Sequence, residues 1–161
     1  MDIIVLSPAD WRLWRELRLS ALAEAPAAFG STLADWTGAG DTEKRWCARL
    51  SSVAVNMVVT WKGRPAGMIS ATAPAAPSAP VELISMWVAP LARGHGIGDA
   101  AMRAALDWAR LHHPDSPVVL SVKAGNDPAV RLYERHGFTD AGIAPDDPDE
   151  RLMRHTAVRH P

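Results

Sequence analysis

The segment Met86–Gly98 reads MWVAPLARGHGIG, with glycine at 94, 96 and 98 directly behind Arg93 and ahead of a run with helical periodicity. Glycine at alternate positions removes side chains where the backbone meets a helix N-terminus. Several N–H groups can then converge on one anion in the field of the helix dipole. Arg93 adds a fixed charge able to clamp a further oxygen. The pattern suits phosphate, although a glycine-rich turn beside a surface arginine has the same spacing. A P-loop would need Lys and then Ser or Thr after its last glycine, and Asp99 and Ala100 stand there instead. A dinucleotide-binding turn would need G-x-G-x-x-G and an acid closing the following strand. Here the spacing is G-x-G-x-G, and that strand, VVLSVK, ends in Lys123.

Elements that position this segment follow from periodicity. Ile3–Leu6 is a short strand, and Ser7-Pro8-Ala9-Asp10 carries N-terminal helix signals ahead of an amphipathic helix with Trp14, Leu17, Ala21 and Leu22 on one face. Pro26 ends it. Residues 27–40 read as a loop or broken helix, and Asp41-Thr42-Glu43 opens a second helix to about Leu50. Residues 53–61 and 65–72 form a hairpin across Lys62-Gly63-Arg64, and the proline-rich stretch 73–80 is a loop. A strand over 81–88, a helix from about Asp99 to His112, a buried strand over 118–123 and a helix from Asp127 to about His136 follow, with Gly137 as the stop signal. Weaker strands are expected at 138–142 and 151–156, on either side of an acidic loop over 145–150. His136, Arg131 and Arg135 are expected on a solvated helix face, and Trp87 and Trp108 in the core.

The chain of 161 residues suits one domain, and its net charge of -1 offers no field for gathering nucleic acid. Cys47 is the only cysteine, so no internal disulfide forms, and no Cys/His spacing suggests a metal. Asp2 stands where a signal peptide would be basic, and no apolar run approaches the ~20 residues of a membrane span. A soluble, cytoplasmic protein is expected, without metal, nucleic acid or membrane as partner.

One pyrophosphate loop remains compatible, of the form Arg-x-x-Gly-x-Gly, matched by Arg93, Gly96 and Gly98. In MWVAPLARGHGIG and in NDPAVRLYERHGF, Asn126–Phe138, the sequence resembles the GNAT superfamily of acetyl-CoA-dependent N-acetyltransferases. The resemblance extends over most of the chain in element order. It implies a mixed α/β fold whose mostly antiparallel central sheet has parallel fourth and fifth strands that splay to admit acetyl-CoA. It also implies that the loop backbone over Arg93, Gly94, His95, Gly96, Ile97 and Gly98 holds the pyrophosphate, with Asn126 bonding the cofactor or capping its helix. Met86, Trp87 and Val88 lie in the strand that pairs with the pantetheine arm. Asp99 departs from the family pattern, since its charge would sit close to phosphate unless it points away.

The same resemblance places Tyr133, the only tyrosine, near the coenzyme A sulfur as proton donor to the leaving thiolate. By itself a helix tyrosine equally packs its ring in the core. An amine with a pKa about 10.4 must shed a proton before attack. The resemblance implies Glu82 as the base, directly or through water, since some family members use a glutamate at this strand position; otherwise it is an ordinary strand carboxylate, and strand alternation places it on one face with Ile84, Met86 and Val88. Phe29 and Trp36 stand where the family shapes its acceptor site, and the run Asp146–Glu150 either borders that site or is a solvated turn. The expected reaction is acetyl transfer to a small-molecule, peptide or protein amine in a ternary complex. A non-catalytic acyl-CoA sensor and a small nucleotide-binding domain stay open, as does a homodimer.

Overall fold

The computed structural model describes residues 1–156. A seven-stranded sheet runs in the order β1-β2-β3-β4-β5-β7-β6, built from β1 (Asp2–Val5), β2 (Val55–Trp61), β3 (Arg64–Ala71), β4 (Val81–Val88), β5 (Val118–Lys123), β6 (Phe138–Ala144) and β7 (Asp147–His155). All neighbours are antiparallel except β4 and β5, which run parallel through the crossover helix α3 (Ile97–His112). α1 (Trp11–Glu24) and α2 (Glu43–Ser52) cover one face, while α3 and α4 (Asp127–Arg135) cover the other.

Two apolar layers result. Trp14, Leu17 and Ala21 of α1 and Trp46 and Leu50 of α2 pack on Val58, Met68 and Trp87. On the opposite side Ala101, Met102 and Ala105 of α3 meet Val59, Ile69, Val81 and Leu83. Strand residues alternate between the layers because successive Cβ atoms point to opposite faces. Among the described residues, no helix is long and apolar enough to cross a membrane.

Most expected boundaries hold within two residues, and the differences have local causes. The hairpin turn is Lys62-Gly63, both with positive φ, as a two-residue turn matched to strand twist requires. The segment after α1 contains single 3-10 turns at Pro26–Ala28, Ala34–Trp36 and Gly38–Gly40. α1 is tied to α2 by Arg15, whose Nε donates to Asp41 Oδ1 at 2.7 Å, and by Trp46 Nε1, which donates to the same oxygen at 2.8 Å. β7 starts at Asp147 and not at 151, so most of the expected acidic loop is strand. Lys123 at the end of β5 explains this, because its Nζ lies 2.5 Å from Asp147 and 3.3 Å from Glu150 and removes the repulsion that would open the ladder.

The start of α3 sits close against β3 because residue 67 has no side chain. A Cβ on Gly67 would fall 2.8 Å from Ile97 Cγ2 and 3.1 Å from the Trp87 carbonyl oxygen. Gly67→Ala should therefore cost about 1–3 kcal/mol through overpacking, read as a lower urea midpoint at unchanged m-value.

Candidate functional site

β4 and β5 pair only from Val81–Leu83 to Val118–Leu120. Beyond Leu83 the strands part, while β4 stays bonded to β3 up to Val88 and β5 to β7 up to Lys123. Peptide groups of β4 on the β5 side are thereby released from the ladder. A bulge accompanies the opening. Met68 pairs with Trp87 and Ser70 with Ile84, so Ile69 alone faces both Ser85 and Met86, and Ser85 takes a φ of 57°.

The bulge corrects the expected alternation. Met86 and Val88 point toward α3, whereas Trp87 packs into the α1–α2 layer. On the other side of the bulge Val81 and Leu83 face α3, so Glu82 and Ile84 look to the α1–α2 side. Glu82 thus does not share a face with Met86 and Val88.

Past β4 the chain makes a 3-10 turn, Pro90–Ala92, and enters the glycine segment. Gly94 and Gly96 have φ of 79° and 81°, a left-handed conformation that side chains resist. Gly96 is the N-cap, so α3 begins at Ile97, earlier than the expected Asp99, and the N–H groups of its first turn lack intrahelical partners. Gly98 serves packing, since a Cβ there would lie 3.2 Å from Leu132 of α4. His95 turns aside and its ring lies 4.3 Å from that of Trp61.

A cleft of about 750 Å³ follows the opening and is lined by Met86, Trp87 and Val88, by Arg93, Gly94, Gly96, Ile97 and Gly98, and by Asn126 and Tyr133. His95, Glu82 and Trp36 are outside its lining. A smaller cavity of about 60 Å³ continues between the strands, bordered by Ile84, Ser85 and Ser121. Tyr133 and Phe29 line both. Tyr133 is buried, and loss of solvation pushes its phenol up to about 12. Asn126 caps α4, its Oδ1 accepting from Ala129 N at 3.4 Å. Trp36 instead packs on Trp46 at 4.5 Å beneath Arg45.

Charged neighbours of the cleft are paired. Arg93 donates from Nη2 to Glu24 Oε2 at 2.8 Å and from Nε to the Val88 carbonyl at 3.1 Å, and Trp87 Nε1 also donates to Glu24 at 2.9 Å. Those donors, Arg93 first, hold the Glu24 carboxyl below its usual range. Asp99 bonds His136 Nε2 at 2.7 Å and Arg135 Nη2 at 3.2 Å, so two of the three residues expected on a solvated face hold this carboxylate. Its charge is met by α4 while it stays in the cleft wall. Glu82 is raised above the ordinary carboxylate value, first by burial and then by the charges of Asp146 and Glu150. Glu24 and Lys123 were not singled out from sequence, because α1 and β5 meet the glycine segment only in three dimensions. Among the described residues, no group of three or more His, Cys, Asp or Glu side chains is arranged to hold a metal ion.

The fold that carries this site is shared with solved acetyltransferase structures. The PaiA N-acetyltransferase of Thermoplasma acidophilum in complex with coenzyme A superposes with TM-score 0.73 at 15% identity, over 97% of this chain and 99% of that one. yncA of Salmonella typhimurium, solved with acetyl-CoA, gives TM-score 0.76 at 21% identity, over 100% of this chain and 96% of that one. The family model for the acetyltransferase (GNAT) family matches residues 13–138, and the chain belongs to that family. Mycothiol acetyltransferase of Corynebacterium glutamicum is 49% identical over 49 residues, which is 30% of this chain and 16% of that protein's length.

The Asp99 contacts make a measurable prediction. His136, burial and Arg135 act on Asp99 in that order, with the net result that its folded pKa lies below the ordinary 3.8. A depressed carboxylate contributes stability above its unfolded pKa and loses it as pH falls through the folded value. Asp99→Asn should therefore lower the melting temperature at pH 7, and the gap to wild type should close as pH drops below 3.8.

Proposed function

We propose that residues 1–161 act as one N-acetyltransferase domain, moving the acetyl group of acetyl-CoA to a primary amine by direct attack in a ternary complex. The observation that carries this reading is the position of Tyr133, a buried phenol lining both the large cleft and the smaller cavity that continues between the strands.

The residues present fit acetyl-CoA as co-substrate. Gly94 and Gly96 supply a side-chain-free backbone curve, the first turn of α3 supplies spare N–H groups, and Arg93 supplies positive charge for a pyrophosphate. The released edge of β4 from Met86 to Val88 is available to a pantetheine arm as a strand would be. Asn126 uses its oxygen as a helix cap and keeps its amide N–H groups for a ligand. The thioester supplies an activated acetyl group. For this chain's residues the chemistry is then proton management and orientation. Glu82, on the acceptor side of the sheet, accepts the amine proton directly or through water, and its raised pKa makes it the better base. Tyr133 stays protonated at neutral pH and donates its hydroxyl proton to the departing sulfur. Phe29 walls the acceptor path, and a cytoplasmic location suits the use of acetyl-CoA.

Thiol release across a panel of amines tests the reading. Tyr133→Phe should lower kcat by about 10²- to 10⁴-fold while coenzyme A binding, followed calorimetrically, stays the same; unchanged turnover would remove Tyr133 as the acid. Glu82→Gln should abolish the acidic limb of the kcat/KM profile, the limb along which wild-type activity falls as pH drops through the raised Glu82 pKa. Absence of thiol release with every amine tried, alongside tight coenzyme A binding, would favour a non-catalytic acyl-CoA sensor.

A further inference from the structure

Trp14 and Arg18 stand four residues apart on α1 and so share one of its faces. Trp14 is fully buried and Arg18 is 8% exposed. Each carries a donor nitrogen, Nε1 of Trp14 and Nη1 of Arg18, that is sealed from solvent and has no acceptor among the described residues. The Arg18 guanidinium lies 4.6 Å from the centroid of Phe29, the ring that lines both cavities. A second arginine, Arg49 of α2, lies 5.0 Å from the Trp14 ring and reaches across to Ser85 Oγ at 3.1 Å, at the bulge that borders the smaller cavity. Its other bonds run to Asn56 Oδ1 at 2.8 Å and Ser70 Oγ at 3.4 Å, both neutral.

Among the described residues, neither arginine has a carboxylate partner, whereas Arg15, Arg93, Arg110, Arg135 and Arg151 all do. Burial lowers both Arg18 and Arg49 to about 10, and for Arg49 the nearby Arg18 charge adds to the effect. Two desolvated cations without a counter-ion are costly, and so are two buried donors without acceptors. Neither arginine lines a cavity itself, but Phe29 and Ser85, which touch Arg18 and Arg49, both line the smaller one, so an oxyanion there would lie one side chain from each guanidinium and offer the counter-charge they lack.

We propose that Arg18 and Arg49 hold a carboxylate of the acceptor, so that the substrate is an amine that also bears a carboxylate, such as an amino acid or short peptide. This rests on the transferase reading, with the α1–α2 face as the acceptor side. A planar carboxylate suits the guanidinium fork. The same face of β4 carries Glu82, with Asp146 and Glu150 near enough to raise its pKa, so negative charge lies toward one end of the strand and positive charge toward the bulge. A zwitterion is thereby oriented, amine toward Glu82 and carboxylate toward Arg18. A polyamine would bring further cations against buried arginines.

The test compares acid and amide pairs with acetyl-CoA: leucine against leucinamide, phenylalanine against phenylalaninamide, leucylglycine against its amide, and spermidine as the amine without carboxylate. Acids should exceed their amides by about 10- to 100-fold in kcat/KM. Arg18→Met should erase that preference through the KM of the acids, Arg18→Lys should restore part of it, and the KM for acetyl-CoA should not move. Amides that match or exceed the acids, or spermidine as best acceptor, would overturn the proposal. If Arg18→Met fails to fold, the wild-type acid-to-amide ratio decides alone. If no amine releases thiol, the transferase reading fails, and the carboxylate site is judged by thermal shift. Stabilisation by leucine or N-acetylleucine but not leucinamide, lost in Arg18→Met, supports it, and no shift overturns it.

Discussion

The parting of β4 from β5 is the constraint on which the rest of this structure depends. Parallel strands joined by a helix normally pair along their length, yet here the ladder stops at Leu83 and Leu120 while both strands continue. The gap is held open because each strand is anchored on its outer edge, β4 by β3 and β5 by β7. Polar backbone groups facing a gap of this kind are costly unless solvent or a ligand satisfies them. A strand-like ligand is the natural complement. The bulge at Ser85 adds handedness, turning Glu82 and Ile84 toward one face and Met86 and Val88 toward the other, so the two sides of the opening differ chemically.

That difference is expressed in how charge is handled. At the mouth of the cleft, charges are paired: Arg93 with Glu24, and Asp99 with His136 and Arg135. The Arg93–Glu24 pair is half open to water, at 49% and 33% side-chain exposure, so screening keeps it weak and exchangeable for another anion. On the α1–α2 side, Arg18 and Arg49 are buried and answered by aromatic rings and neutral oxygens. Aromatic faces attract a guanidinium, though less than a carboxylate does when both are desolvated. The first arrangement surrenders a cation readily, and the second lacks a counter-charge.

Much of this was legible in the chain itself, and the exceptions are instructive. Three glycines behind Arg93 signal a backbone curve ahead of a helix, and failure of the P-loop and dinucleotide patterns narrows the ligand. Strand alternation misplaced Glu82 because a bulge inserts one residue, and Ser85 carries no residue-type signal for a φ of 57°. The acidic run 146–150 read as a loop between weak strands; Lys123, distant in sequence, pairs with Asp147 and Glu150 and lets β7 begin early. His136 and Arg135 read as a solvated face because Asp99, their partner, lies on another helix.

Sequence alone determined what is local: which segments are helix or strand, where glycine permits a turn, and which residue types suit phosphate, thiolate and amine, because periodicity and side-chain chemistry act over a few residues. Tertiary structure decided what depends on distance between remote segments. It brought Tyr133 to the walls of both cavities, set Glu82 on the far side of the sheet from Met86, turned Glu24 onto Arg93, and buried Arg18 beside Phe29 without a counter-ion. Charge and desolvation are properties of a place in the fold, and the chain acquires such places only when sheet and helices pack.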